Sequence, residues 1–322
     1  MIDNVAPPKD RYIHFPKTAT YPEPMPHLSQ QQKAYALGLA AVCLWSTVAT
    51  AFKLSLRHLG PEPLLFYASL TSTVVLAGIL AAQGKFGRPW PPFRAIRVSL
   101  LLGGLNPFLY YLVLIRAYDL LRAQEAQAIN YTWAITMSLL SIPLLGQAIR
   151  RLQFLAIGLS YAGALIISTR GDLLGFQMES PLGFALAMGS TVIWALFWIY
   201  GVRDQMEPTL RLFFNFCAGT VYTGIWALAA GISLVPNLPG LAGAVYIGVF
   251  EMGVTFVLWM NALRLSRTTA QVSNLIYLAP FLSLGIIHYL VGESISLSTL
   301  IGLGFILVGT VVQRFSDRQN QP

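Results

Sequence analysis

Long apolar stretches alternate with short polar connections along this chain, and that pattern predicts the architecture before any motif is read. Apolar runs lie near 34–55, 63–82, 97–115, 123–146 and 152–169. A second set follows at about 182–202, 209–231, 240–262, 268–290 and 297–313. Each is about long enough to cross a ~30 Å hydrocarbon core as helix. The connections are short, so the helices must pack as one bundle with no extramembrane domain. The expected fold class is therefore an all-α membrane protein of ten transmembrane helices. Residues 1–33 stand apart, with Pro7, Pro8, Pro16, Pro22, Pro24 and Pro26 among polar residues and no apolar run. They read as a disordered cytoplasmic tail without the h-region of a cleaved signal peptide, so the first span must act as the membrane signal. Residues 314–322 read as a second cytoplasmic tail.

Composition agrees with this class. The hydrophobic fraction is 55%, charged residues are 11%, and mean hydropathy is +0.61. A soluble domain of this length needs far more charge to cover its surface. The net charge of +8 invites a nucleic-acid reading, but its distribution argues for orientation instead. With ten spans, the termini and the even-numbered loops share one side. That side holds sixteen of the 21 Lys and Arg residues, from Lys9 to Arg318, whereas the odd loops hold four: Arg57, Arg116, Arg122 and Arg170. The positive-inside rule then places both termini in the cytoplasm, in an inner or plasma membrane, with the lipid bilayer as partner and no nucleic acid. Cys43 and Cys217 both fall inside spans and read as small packing residues rather than a metal or disulfide framework.

An internal repeat is the next signal. At one constant offset Gly103 pairs with Gly248, Asn106 with Glu251, Tyr111 with Phe256, Ala117 with Ala262 and Arg122 with Arg267. One residue of slippage then aligns Ala126-Gln127-x-x-Asn130-x-x-Trp133 with Ala270-Gln271-x-x-Asn274-x-x-Tyr277. A weaker echo sets Trp45 of span one against Trp194 of span six. The expected halves are residues 34–170 and 181–313. Five spans per half is an odd number, so the second half enters the membrane from the opposite side. Inverted repeats of this kind are a transporter architecture, because exchanging the two halves' conformations converts outward-open into inward-open.

The pattern resembles the EamA-domain branch of the drug/metabolite transporter superfamily over roughly residues 34–313. The resemblance rests on Trp45-Ser46-Thr47, on the two Ala-Gln-x-x-Asn helices, on Gly292-Glu293 at the end of span nine, and on Gly248-x-x-Glu251-x-Gly253-x-Thr255-x-x-x-Trp259. Asn130-Tyr131-Thr132-Trp133 also resembles the fourth-span motif of the aromatic amino acid exporters in that superfamily, with Ala134 where those exporters usually carry proline. The resemblance implies a basket of ten helices as two EamA-type repeats, with a central cavity lined mainly by spans 1, 3, 4, 6, 8 and 9.

The intramembrane polar residues supply the candidate site. Glu251 lies near the midpoint of span eight and Asn106 occupies the equivalent place in span three. An ionisable group at that depth costs roughly 2.5–3.5 kcal/mol on insertion scales, which marks it as a substrate or proton site. The competing reading is a hydrogen-bonded glutamate that pins span eight to a neighbour. Asn106 precedes Pro107 and follows Gly103-Gly104, which predicts a kink with unpaired carbonyls. Gln127 and Asn130 share one helix face, as do Gln271 and Asn274, and these amides either bind a ligand or join helices. Tyr131, Trp133, Trp45, Tyr110, Trp194, Trp198 and Tyr277 offer aromatic surface, for packing or anchoring singly, and as a set for an amphipathic or planar organic solute. Lys53 is expected to snorkel to the surface, the alternative being a partner for an anionic group. Glu125, Arg122 and Glu293 read as solvated interfacial residues, and His288 as structural. Small residues such as Gly158 and Ala162, or Gly302 and Gly309, permit close helix contact within or between chains.

An intramembrane enzyme finds no support in these motifs. Gly158-Leu159-Ser160-Tyr161-Ala162 sits inside a helix and ends in alanine, the four histidines show no metal spacing, and no aspartate pair lies in the spans. No repeated filter or charged ring suggests a channel. The expectation is a secondary carrier, not an enzyme and without cofactor or metal, that moves a small organic metabolite by alternating access. An amino acid or related amphipathic compound is the first expectation, with protons as a coupling partner. Export follows from the resemblance alone, and import or exchange on the same fold is the alternative.

Overall fold

The computed structural model describes residues 29–85, 91–146, 151–172, 180–201, 206–267, 272 and 274–318. Its helical rods are α1 (Gln30–Ser55), α2 (Pro61–Ala82), α3 (Phe93–Leu120), α4 (Ala123–Leu145), α5 (Arg151–Ser168), α6 (Pro181–Gly201), α7 (Pro208–Ala229), α8 (Leu238–Leu265), α9 (Asn274–Val291) and α10 (Leu297–Arg318). Eight of them are long and apolar enough to cross a membrane. The apolar parts of α5 and α10, Leu152–Ser168 and Leu297–Gln313, are shorter. The limits of the expected tails shift. Ser29 and Gln32 form a capping box that starts α1 at Gln30, and α10 runs on to Arg318. The remainder of the expected N-terminal tail lies outside the described residues.

Helix α1 packs along α8 and α5 along α10, while α2 lies against both α7 and α8, α3 against both α6 and α7, and α4 against α6. The α5–α10 seam sets Ala156, Ser160, Gly163 and Ile167 against Gly302, Ile306 and Gly309. A Cβ at Gly163 would meet the Gly302 carbonyl oxygen, and one at Gly302 would meet that of Gly163. Lipid-exposed helices gain no hydrophobic term by associating, so close backbone approach over small residues holds this pair. The contact is therefore within the chain. Gly158, by contrast, faces open space, and Cys43 is exposed rather than packed.

Helices α3 and α8 both widen into π-type segments in mid-course, Gly104–Leu109 and Ile247–Val254. Asn106 breaks helical geometry (φ −142°, ψ 121°) and is joined to Pro107 by a cis peptide bond. In each rod a glycine permits the crossing beside the break. Gly103 abuts the backbone of Asn215 on α7, and Gly248 abuts the Ala68 carbonyl and the Thr71 side chain on α2. Helix α4 is interrupted at Tyr131-Thr132, between Asn130 and Trp133. Helix α1 is interrupted at Thr47, whose hydroxyl donates to the Leu44 carbonyl at 2.7 Å and lies 2.7 Å from the Tyr246 hydroxyl.

At the end of the bundle where α1 begins, Glu207 accepts from the Leu210 amide at 2.9 Å and from Lys85 Nζ at 3.0 Å, with Arg264 at 4.0 Å. Burial works against ionisation here, but the Leu210 amide and the Lys85 ammonium outweigh it and hold the carboxyl below its usual range. A lowered folded pKa means stabilisation that is complete above the ordinary value of 4.5 and lost as pH falls through the folded value. Glu207→Gln is expected to lower the thermal midpoint in detergent at neutral pH, and the gap to wild type should close on acidification. A gap that widens on acidification contradicts this assignment.

Candidate functional site

The break in α8 places Glu251 against α3. Tyr111 donates its hydroxyl to Glu251 Oε1 at 2.9 Å, while Glu251 Oε2 is buried with no hydrogen-bond partner. The widening that presents Glu251 has local causes. The Thr255 hydroxyl donates to the Phe250 carbonyl, and Gly253 leaves room for the Gly248 carbonyl and Val75. These are the residues of the glycine–glutamate–threonine run noted in the sequence, and its last member, Trp259, meets Trp45 of α1 at a ring-centroid distance of 5.3 Å.

From Tyr111 a continuous run of rings crosses the bundle. Tyr111 contacts Tyr110 at 4.8 Å, Tyr110 contacts Trp194 of α6 at 4.6 Å, and Trp194 reaches Phe256 of α8 at 6.4 Å. Phe256 meets Trp45 at 5.8 Å. Rings from α1, α3, α6 and α8 thus converge, at separations typical of favourable aromatic pairs. Trp198 packs edge-on against Trp194 at 5.8 Å, and its Nε1 is buried and unpaired.

The other expected site residues divide. Asn130 accepts from the Tyr110 hydroxyl at 3.4 Å and donates to Ser190 Oγ of α6 at 3.0 Å, so this amide joins three helices. Gln127 is buried, and Tyr131 within the break in α4 and Trp133 just after it are half-buried. Asn106 is fully buried with both side-chain polar atoms unpaired, and Pro107 beside it packs on Gly219 of α7. Asn274 is exposed and Tyr277 half-buried in a 3-10 turn rather than a regular α-helix. Gln271 lies outside the described residues. Tyr111 and Phe256, the direct neighbours of the acid and of Trp45, were not among the expected site residues. Their alignment with one another as aromatics of equivalent depth was the available signal.

Lys53, Glu125 and Glu293 depart from their expected surface roles. Lys53 does not snorkel, since its ammonium donates to the Tyr118 and Leu121 carbonyls at 2.8 and 2.6 Å, closing the C-terminal end of α3. Glu125 is 4% exposed and pairs with Arg170 at 3.1 Å. Arg122 is half-buried at the residue preceding α4. Glu293 accepts from the Ala123 amide at 2.8 Å and from the Gln124 backbone and side-chain nitrogens at 3.4 Å. Gln124 also donates to the Ser294 carbonyl at 2.8 Å. The end of α9 is thereby bound to the start of α4, an anionic cap on orphan amides. His288 Nδ1 lies 3.0 Å from the Glu293 carbonyl, in keeping with a structural role.

The EamA-like transporter family matches twice, over residues 32–169 and 181–314. The chain is 25% identical over 262 residues to the aromatic amino acid exporter YddG of Ancylobacter novellus, covering 79% of this chain and 87% of that one. It is 23% identical to the uncharacterized transporter YvbV of Bacillus subtilis, over 83% of this chain and 86% of that one. The uncharacterized inner membrane transporter YedA of Escherichia coli is 21% identical, over 85% of this chain and 88% of its own. One solved crystal structure shares the fold, with a TM-score of 0.60 at 22% identity over 90% of this chain and 99% of its own. The chain is a multi-pass membrane protein of the EamA-like transporter family.

Proposed function

We propose that the protein is a secondary carrier that exports a small organic metabolite, an amino acid or a related amphipathic compound, by alternating access around Glu251. The observation that carries this reading is the Tyr111–Glu251 contact beside a run of rings drawn from four helices. A lone intramembrane acid beside aromatic surface can hold an amphipathic solute or a proton. Two inverted halves, 34–170 and 181–313, rock against each other around it. Support comes from the paired breaks in α3 and α8, with the glycine crossings beside them, and from the double family match. Broken helices at the substrate depth suit this mechanism, because irregular backbone is tolerated only where it is buried or lines a cavity. The excess of basic residues on the side of the termini and even loops supports a cytoplasmic location for both termini. Export as the direction rests on the family resemblance and on the relative named as an exporter.

In the cycle, solute and proton compete for the Glu251 carboxyl, and Asn106 at the matching break hinges α3 against α7. The cap of Glu293 on α4 holds one end of the pathway shut while the other is open. The test is Glu251→Gln in proteoliposomes with and without a pH gradient. Wild-type flux should respond to the gradient and variant flux should not. Equal gradient dependence in the two removes Glu251 from coupling.

A further inference from the structure

We propose that the solute held at Glu251 is a cation, an amine carried on an aromatic or other flat apolar body, rather than a zwitterion or an anion. This rests on the carrier reading above and narrows its substrate class. Three observations lead there. Glu251 satisfies one oxygen with the Tyr111 hydroxyl at 2.9 Å and leaves Oε2 buried and unpaired. In its ionised form the carboxylate only accepts, so the partner that Oε2 then lacks is a donor. The neighbouring rings of Tyr110, Trp194, Phe256 and Trp45 follow one another at 4.6 to 6.4 Å. Ring faces attract an ammonium placed within about 6 Å of their centroids and repel a carboxylate there.

The third observation is that, among the described residues, no basic side chain pairs with Glu251. Lys53, in the second half of α1, has its ammonium engaged by the Tyr118 and Leu121 carbonyls. Arg116 of α3 pairs with Asp119 at 3.0 Å and is half exposed. The Asn130 amide already donates to Ser190. Trp198 Nε1 is buried and unpaired, a single neutral donor suited to a carbonyl or hydroxyl on the solute body. An α-carboxylate brought to Glu251 would meet like charge and ring faces, and among the described residues no guanidinium or ammonium pairs there to offset its desolvation. An amine meets the acid and the rings together.

The test uses the full chain in proteoliposomes with three labelled indoles of similar size: tryptamine, tryptophan and indole-3-acetate. Tryptamine flux should exceed that of the other two by about tenfold, the scale of one charge-assisted contact. Glu251→Gln keeps the side chain's size and can still accept from Tyr111, and it should bring tryptamine down to their level. Glu251→Asp should recover part of the loss. Trp194→Leu spares the acid and serves as an independent arm, with an expected loss of about fivefold for tryptamine. Tryptophan or indole-3-acetate moving as fast as tryptamine overturns the cation assignment and leaves the carrier reading standing. Undiminished tryptamine flux in Glu251→Gln overturns it equally. Movement of none of the three by monodisperse wild-type protein counts against both readings.

Discussion

Gly163→Leu and Gly302→Leu are each expected to leave little folded protein, whereas Gly158→Leu on the same helix should behave like wild type. A Cβ at either of the first two positions meets the carbonyl oxygen of the opposing glycine, which is backbone and cannot swing aside. The helices must separate, and separation strips contact from Ala156, Ser160, Ile167 and Ile306, all of which are essentially fully buried. Overpacking alone costs typically 1–3 kcal/mol, and about 3 kcal/mol or more is expected where backbone must move. Gly158 has nothing within 4 Å to meet. The measurement is the monodisperse fraction on size exclusion together with the thermal midpoint in detergent. Gly163→Leu protein as stable as Gly158→Leu would mean the seam is not held by close approach.

Glu293→Ala is expected to open the end of the pathway where α9 meets α4. The substitution removes the carboxylate that receives the Ala123 and Gln124 amides and the Gln124 side chain. Loss of one helix cap costs about 1 kcal/mol, and a charged acceptor serving several donors roughly 1.5–3 kcal/mol. That range shifts a two-state population by about ten- to a hundredfold. The reporter is a cysteine at Ala128, which is 3% exposed, in a background lacking Cys43 and Cys217. A membrane-impermeant maleimide should label it faster in Glu293→Ala than in the parent. Equal labelling rates would show that the cap has no part in closure.

How much of this was legible in the chain depends on the kind of interaction. The apolar stretches and their order predicted the rods, because hydropathy reports on each helix separately. Glu251 stood out for the same reason, being an acid in an apolar run. The ring set was half legible. Trp45, Tyr110 and Trp194 are in the run that crosses the bundle, but Tyr111 and Phe256 were passed over, since a tyrosine or phenylalanine in a membrane helix carries no mark of its partner. Asn130 reads equally as a ligand-binding or a helix-joining amide, and its contacts with Tyr110 and Ser190, which join three helices, have no mark in the local pattern. Charged residues at helix ends misled most. Glu125, Glu293 and Lys53 look solvated by position, yet each is engaged by groups from a different rod or the loop beside it. Local pattern cannot show such contacts, which depend on helix ends meeting across long stretches of chain. The breaks in α4 and α8 were also unannounced, because neither carries a proline at the break.

The most direct test of a carrier centred on Glu251 is counterflow. Proteoliposomes loaded with an unlabelled mixture of tryptophan and tryptamine are diluted into trace labelled solute, and internal label is followed with time. The account predicts a transient overshoot of label for wild type and none for Glu251→Ala, because exchange requires a single site that alternately faces each side. An overshoot of equal size in Glu251→Ala, or its absence from folded wild-type protein, would contradict the account.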